Sequence, residues 1–125
     1  MIWNIQTLII SSIILLILDA LYIFTTKELF FGMVQKIQHS PLKVDVYAAA
    51  LTYIFILGGL NYFIVQKENK TPLEAFYLGI LVYSVYELTT KSILRDWKWE
   101  AVVLDTIWGG VLFASTTYFT RIIVK

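Results

Sequence analysis

Cysteine is absent from this sequence, and its 125 residues include one histidine and two prolines. Without cysteine the chain can form no disulfide, no thiolate nucleophile and no zinc–thiolate site. One histidine excludes a multi-histidine metal site within a single chain. Charge is scarce too: 15% of residues are charged, and ten Lys and Arg against nine Asp and Glu give a net charge of +1. With no basic stripe, we expect no nucleic-acid partner.

Apolar residues are what the sequence has in abundance. They make up 58% of the chain, and the mean hydropathy is +0.72. About 20 apolar residues in a helix cross the ~30 Å hydrocarbon core of a bilayer. Four segments approach that length, at residues 2–26, 46–65, 73–91 and 101–124. The sequence therefore predicts an all-α integral membrane four-helix bundle, with the lipid bilayer as a partner and residues 1–125 as a single four-span transmembrane domain.

The links between these segments carry their own signals. Thr71, Pro72 and Glu74 place a cap, a first-turn proline and a first-turn carboxylate in the order typical of a helix start. The link at residues 27–45 holds five apolar residues on one helical face, which predicts a short interfacial amphipathic helix between helices 1 and 2. A loop packed on the bundle is the alternative. The five residues are Leu29, Phe30, Met33, Val34 and Ile37.

The distribution of Lys and Arg predicts the orientation in the membrane. With four spans, the first and third links carry six of these residues, and the termini and the second link carry four. Because positive residues favour the cytoplasmic side, we expect both termini outside.

Three carboxylates interrupt the apolar segments: Asp19, Glu87 and Asp105. Each costs a few kcal/mol near the bilayer centre, so such residues usually face the bundle interior. Counting from the helix ends places all three about 6–10 Å below the same surface. We therefore expect a shared ion- or proton-binding site. The alternative is that these polar groups only bind the helices together.

Residues one helical turn away support this interpretation. Tyr22 follows Asp19 by three positions, and Trp108 follows Asp105 by three, so each acid has an aromatic donor on its own helical face. Lys91 follows Glu87 by four positions and is its candidate ion-pair partner. The supporting residues expected around the cluster are Tyr22, Tyr47, Tyr83, Tyr86, Lys91, Trp108 and Gly109.

Three motifs resemble the predicted membrane family called domain of unknown function 2177. They are Leu18-Asp19-Ala20-Leu21-Tyr22, Tyr83-Ser84-Val85-Tyr86-Glu87-Leu88-Thr89-Thr90 and Asp105-Thr106-Ile107-Trp108-Gly109. The resemblance covers essentially the whole chain. Tyr22 stands where the family has Trp, Glu87 where it has Asp, and Thr90 where it has Asn. The family has no assigned activity, so the resemblance implies an architecture and points to residues without naming a function.

The acidic residues leave three functions open. A buried carboxylate near other carboxylates favours its protonated form, which suits a proton or cation binding and translocation site. A chain this small would then work as a homo-oligomer. A structural or assembly subunit is the alternative. A metal-assisted enzyme acting on a lipid is the third, although no Gly-x-Ser-x-Gly nucleophile motif is present.

A divalent cation is the cofactor that these residue types would suit, and we expect no haem and no nucleotide. Mg²⁺, Mn²⁺ and Ca²⁺ prefer the hard oxygen ligands that Asp and Glu supply. His39 lies in the first link, on the same side as the carboxylates, and would add a nitrogen ligand if that link folds over them. The candidate metal ligands are Asp19, Glu87, Asp105 and His39.

Overall fold

A computed structural model describes residues 2–125, and within that range all regular secondary structure is helical. The all-α bundle predicted from the sequence is confirmed. The elements are α1 (Ile5–Gln38), α2 (Val46–Leu60) running into a π-helical turn (Asn61–Val65), α3 (Pro72–Ile93) and α4 (Trp99–Val124).

Side chains cap the starts of three of the described helices. The carboxylate of Asp45 accepts a hydrogen bond from the Ala48 amide at the start of α2. Thr71 and Glu74 form a reciprocal capping box at α3, with Pro72 in the first turn. These caps satisfy backbone amides that have no partner within the helix. The predicted start of the third helix is therefore confirmed.

The first helix is longer than its apolar run. Its 34 residues extend about 51 Å, against ~30 Å of bilayer hydrocarbon. Residues 27–38, predicted as a separate interfacial helix, are helical but continue α1 without a break. From Lys27 onward the side chains become more polar and so favour water over lipid. This change in polarity does not break the helical backbone hydrogen bonds, so the helix continues. The helix ends at His39, whose left-handed backbone (φ 58°) donates its amide to Gln35 O, two residues before Pro41.

Helices α3 and α4 form the most extensive helix pair. Glycines allow their close approach, as in many membrane helix pairs. A Cβ atom on Gly79 would overlap the backbone of Gly109, and one on Gly109 would overlap the ring of Tyr83. Gly109, one of the supporting residues expected from the sequence, therefore lies where α4 contacts α3.

Two apolar clusters stabilise the bundle at different depths. The one nearer the chain termini contains Leu15, Leu60, Ile64, Val65, Ala75, Leu112 and Phe113. The other joins the end of α1 to the α3–α4 link and the start of α4, and its buried members are Met33, Trp97, Ala101 and Val102. The apolar face predicted for residues 27–38 packs into this second cluster, through Leu29, Phe30, Met33, Val34 and Ile37.

Three of the described helical segments are long and apolar enough to cross a membrane, by length and composition. They are α1, α2 with its π-helical turn, and α4. The remaining helix, α3, carries Glu74, Glu87 and Lys91 and is not among them.

Arg121, near the end of α4, binds the π-helical turn and the link that follows it. Its guanidinium donates to the carbonyls of Ile64 (3.1 Å), Lys67 (2.8 Å) and Lys70. We expect Arg121→Met to lower the free energy of unfolding by about 2 kcal/mol, because three carbonyls lose a charged donor. Unfolding in detergent measures this.

The matched control for Arg121 is Lys125→Met, which removes an exposed positive charge from the same end of the chain. The free energy of unfolding of Arg121→Lys should lie between those of the two methionine variants, because one ammonium cannot reproduce the forked geometry of a guanidinium. Equal stability of Arg121→Met and Lys125→Met would contradict the assignment.

Candidate functional site

The structure brings the three predicted carboxylates together between the two apolar clusters. Asp19 comes from α1, Glu87 from α3 and Asp105 from α4, and their residues are 7%, 0% and 9% exposed. All three line one cavity of about 310 Å³. We call these three residues the carboxylate cluster.

Two of the carboxylates are held by aromatic donors from neighbouring helices. Trp108 Nε1–H donates to Asp19 Oδ1 (3.0 Å), and the hydroxyl of Tyr53 donates to Asp19 Oδ2. The Tyr22 hydroxyl donates to Asp105 Oδ1 (3.0 Å). These bonds join α1 to both α2 and α4.

The expected pairing of donors with acids is therefore wrong in detail. Tyr22 binds Asp105 instead of Asp19, and Trp108 binds Asp19 instead of Asp105. Both side chains are long and cross the interface between α1 and α4, where their rings stack with centroids 4.6 Å apart. A three-residue spacing places a donor and an acid on the same face of one helix. Because that face packs against the other helix of the α1–α4 pair, each donor binds the acid of the opposite helix.

Glu87 is the most enclosed member of the cluster. Trp97 Nε1–H donates to its Oε1 (2.8 Å), whereas its buried Oε2 has no hydrogen-bond donor among the described residues. The carboxyl group of Asp105 is a close neighbour of Glu87, and both residues line the same cavity. Because two carboxylates are both acceptors, a hydrogen bond between them needs a proton on one of them.

Lys91 is not the partner of Glu87. Its Nζ donates to the carbonyl of Arg95 (2.9 Å) and lies 5.7 Å from the ring centroid of Trp99. The lysine side chain extends toward the end of α3, where it binds the link, while Glu87 points into the bundle. The predicted ion pair is therefore wrong.

Among the described residues, no lysine or arginine forms an ion pair with the carboxylate cluster. Over residues 2–125 the one ion pair within 4.0 Å joins Lys70 to Glu74 (3.5 Å), and it involves none of the three acids. Lys27 lines the cavity, but its ammonium lies 4.6 Å from the ring centroid of Phe24. The cluster is therefore an acidic region with aromatic donors and no direct basic partner.

A second cavity reaches the cluster from the side. This α2–α3 groove has a volume of about 600 Å³, and it shares Tyr83, Tyr86 and Asp105 with the smaller cavity. The ring of Tyr83 packs where Gly109 has no side chain. Both predicted tyrosines of α3 therefore line the space around Asp105. The groove is lined by Leu51, Thr52, Phe55, Ile56, Val82, Tyr83, Tyr86 and Asp105.

The predicted metal-ligand set is not assembled. His39 is exposed at the end of α1 and does not line the cavity, because α1 continues as a helix and does not fold back. Both oxygens of Asp19 accept hydrogen bonds. Among the described residues no three His, Cys, Asp or Glu side chains are arranged to hold a metal ion.

Tyr47 lies outside the site, and two unpredicted residues lie within it. Tyr47 is 85% exposed at the start of α2, while Tyr53, further along the same helix, faces α1. Helix α2 has no charged residue that could bind the hydroxyl of Tyr53. The sequence therefore indicated that this hydroxyl binds a residue of another helix. Trp97 is a large apolar residue in a charged link, and such a residue is usually buried.

Comparison with known proteins agrees with this architecture. The model of the family described as "Predicted membrane protein (DUF2177)" matches residues 4–122. The chain belongs to this family. Together with its long apolar helices, membership makes the protein an integral membrane protein.

One further relative is a curated channel. The chain is 27% identical over 95 residues to the "Fluoride-specific ion channel FluC" of a Nitratiruptor species, covering 73% of this chain and 74% of that protein. No solved structure matches the chain.

The Asp105–Gly109 motif, which lies within α4 of this DUF2177 protein, makes three different contacts. Asp105 accepts from Tyr22, Trp108 donates to Asp19, and Gly109 makes room for the ring of Tyr83. One short segment of α4 therefore contacts both α1 and α3 at the depth of the carboxylate cluster.

Proposed function

We propose that this protein is a membrane transport protein that binds a proton or a cation at the carboxylate cluster and passes it across the bilayer. The observation that carries the proposal is Glu87. Its side chain is fully buried, one oxygen lacks a donor, and its neighbour is a second carboxyl group, that of Asp105. The protein's similarity to an ion channel supports a transport role.

The chemistry follows from the proximity of these acids. Two carboxylates repel each other when both are charged, so the pair retains a proton or attracts a cation. Intramembrane acids without basic partners commonly mark proton relays and ion pathways. The ionisable groups that line the cavity are Asp19, Tyr22, Lys27, Tyr83, Tyr86, Glu87 and Asp105, and Tyr53 is bonded to Asp19.

The proposed topology has four spans with both termini outside. The 22 residues of α3 extend about 33 Å, enough to cross the hydrocarbon core. Glu74 and Lys91 lie near its two ends, and Glu87 faces the bundle interior. Because one chain of four helices is small for a transporter, we propose that the protein works as a homo-oligomer.

The test is ion flux in reconstituted vesicles. Asp105→Asn should reduce proton or cation flux by about tenfold or more, because the amide cannot exchange a proton at this position. A pH-sensitive dye inside the vesicles reports the flux after a pH jump. The matched control is Asp96→Asn, which removes an exposed carboxylate from the α3–α4 link and should leave the flux unchanged.

The opposite result would assign the cluster a structural role. If wild-type protein produces no flux above that of protein-free vesicles, the bonds from Tyr22, Tyr53 and Trp108 serve to hold the helices together. Equal flux through wild type and Asp105→Asn would remove this carboxylate from the pathway.

A second candidate is fluoride conduction, which the similarity to the fluoride-specific channel favours. The structure argues for a cation instead, because the Trp97, Trp108 and Tyr22 donors already bind carboxylates. A fluoride ion would need a protonated carboxyl as its donor. A fluoride electrode measures fluoride efflux from the same vesicles. Fluoride efflux without proton or cation flux would support fluoride conduction over cation transport.

A further inference from the structure

The α2–α3 groove opens toward the surface that lipid would contact. Phe55 and Leu51 on its α2 wall are 76% and 55% exposed, and Val82 on its α3 wall is 39% exposed. Its volume of about 600 Å³ falls in the range typical of small-molecule sites. An apolar molecule in the bilayer could therefore enter this groove sideways, without passing through water.

One lining residue of the groove is acidic. Asp105 lines the groove together with Tyr83 and Tyr86, and all three are shared with the smaller cavity. Glu87 lies next to Asp105, fully buried and with Oε2 lacking a donor. Apolar walls thus lead to Asp105 and its neighbour Glu87, and within residues 2–125 neither acid forms an ion pair with a lysine or arginine.

We infer that the α2–α3 groove admits a lipophilic organic cation, whose charge lies close to Asp105 and whose apolar groups lie between α2 and α3. The inference rests on the cation-binding part of the proposed function, because it requires the carboxylate cluster to be a cation site. The negative faces of the Tyr83 and Tyr86 rings add attraction for an onium ion. A lipophilic anion of the same size is repelled by the same acids.

The first test compares two probes of similar shape and opposite charge. Purified wild-type protein in detergent should bind tetraphenylphosphonium saturably, measured with radiolabelled probe, and should bind the tetraphenylborate anion about tenfold more weakly or not at all. Asp105→Asn should weaken phosphonium binding by about tenfold or more. Equal affinity for the two probes would overturn the inference.

The second test fills the groove from either wall. Val82→Trp and Leu51→Trp each place a large ring in the groove and should weaken phosphonium binding by about tenfold or more. Both residues lie partly exposed, so the ring has space outside the core. The matched control is Val103→Trp on α4, exposed and outside the groove, which should bind as wild type. Wild-type binding by both groove variants would place the probe elsewhere.

Flux separates this inference from the proposed function. Val82→Trp should keep proton or inorganic cation flux, because the smaller cavity does not include Val82. If protons move through Asp105 but phosphonium does not bind, the groove inference fails and the proposed function stands. If phosphonium binding depends on Asp105 but no proton or inorganic cation moves, the inference stands and the proposed function fails.

Discussion

Gly79→Ala should lower the free energy of unfolding in detergent by about 3 kcal/mol, because the added methyl group collides with backbone atoms. A Cβ at this position would overlap the carbonyl of Gly109 and lie 2.9 Å from Gly110 Cα. No side-chain rotation relieves a collision with backbone, so α3 and α4 must separate along their main interface. The separation also moves Glu87 and Asp105 apart, and ion flux should fall with stability.

The chain provides matched controls for this substitution. Gly58 and Gly59 lie in the helical interior of α2, and a Cβ at either position would meet no heavy atom within 4 Å beyond the adjoining backbone of its own helix. Gly58→Ala and Gly59→Ala should leave stability unchanged or raise it slightly, because alanine favours the helix over glycine. Unfolding by denaturant in one detergent compares the three variants. A Gly79→Ala protein as stable as Gly58→Ala would show that α3 and α4 do not pack this closely.

Trp97→Phe should lower the free energy of unfolding by about 3 kcal/mol, because a buried carboxyl group loses its hydrogen-bond donor. Phenylalanine retains most of the apolar packing against Met33 and Phe30. What it removes is the indole N–H that donates to Glu87 Oε1. The other oxygen of Glu87 already lacks a donor. In the variant, therefore, neither carboxylate oxygen of Glu87 accepts a hydrogen bond from an indole, amide or hydroxyl group of the described residues.

Two comparisons isolate the hydrogen bond from the loss of ring size. Trp99→Phe makes the same change at a residue that is largely exposed, and it should lower the free energy of unfolding only slightly. In a Glu87→Gln background, Trp97→Phe should cost less than in wild type, since the uncharged amide tolerates a lost donor better. Equal costs in both backgrounds would mean that the indole contributes packing alone.

The helices themselves were predictable because their signals are local. Apolar run length and the Thr71–Pro72–Glu74 start placed α3, α4 and the combined length of α2 and its π-helical turn within about two residues of their bounds. The end of α1 was not predictable from polarity, because polar residues continue a helix as readily as apolar ones. Its actual stop at His39, ahead of Pro41, is a backbone effect.

The site was predictable in composition and depth but not in its bonds. Asp19, Glu87 and Asp105 share one depth because helix rise converts residue number directly into height. Which donor meets which acid depends on how far one helix is rotated against the next. Trp108 therefore binds Asp19 on another helix, and Tyr53 enters from a helix with no charged residue.

By itself the sequence determined that this is an all-helical membrane protein with three acids at one level, since hydrophobicity and helix geometry act residue by residue. Only the tertiary structure decided that Glu87 lies beside Asp105 with one oxygen lacking a donor, and that a groove between α2 and α3 opens onto them. Those features arise where helices meet. Their geometry is set by packing, above all by the close contact of Gly79 with Gly109, and packing joins residues that lie far apart in the chain.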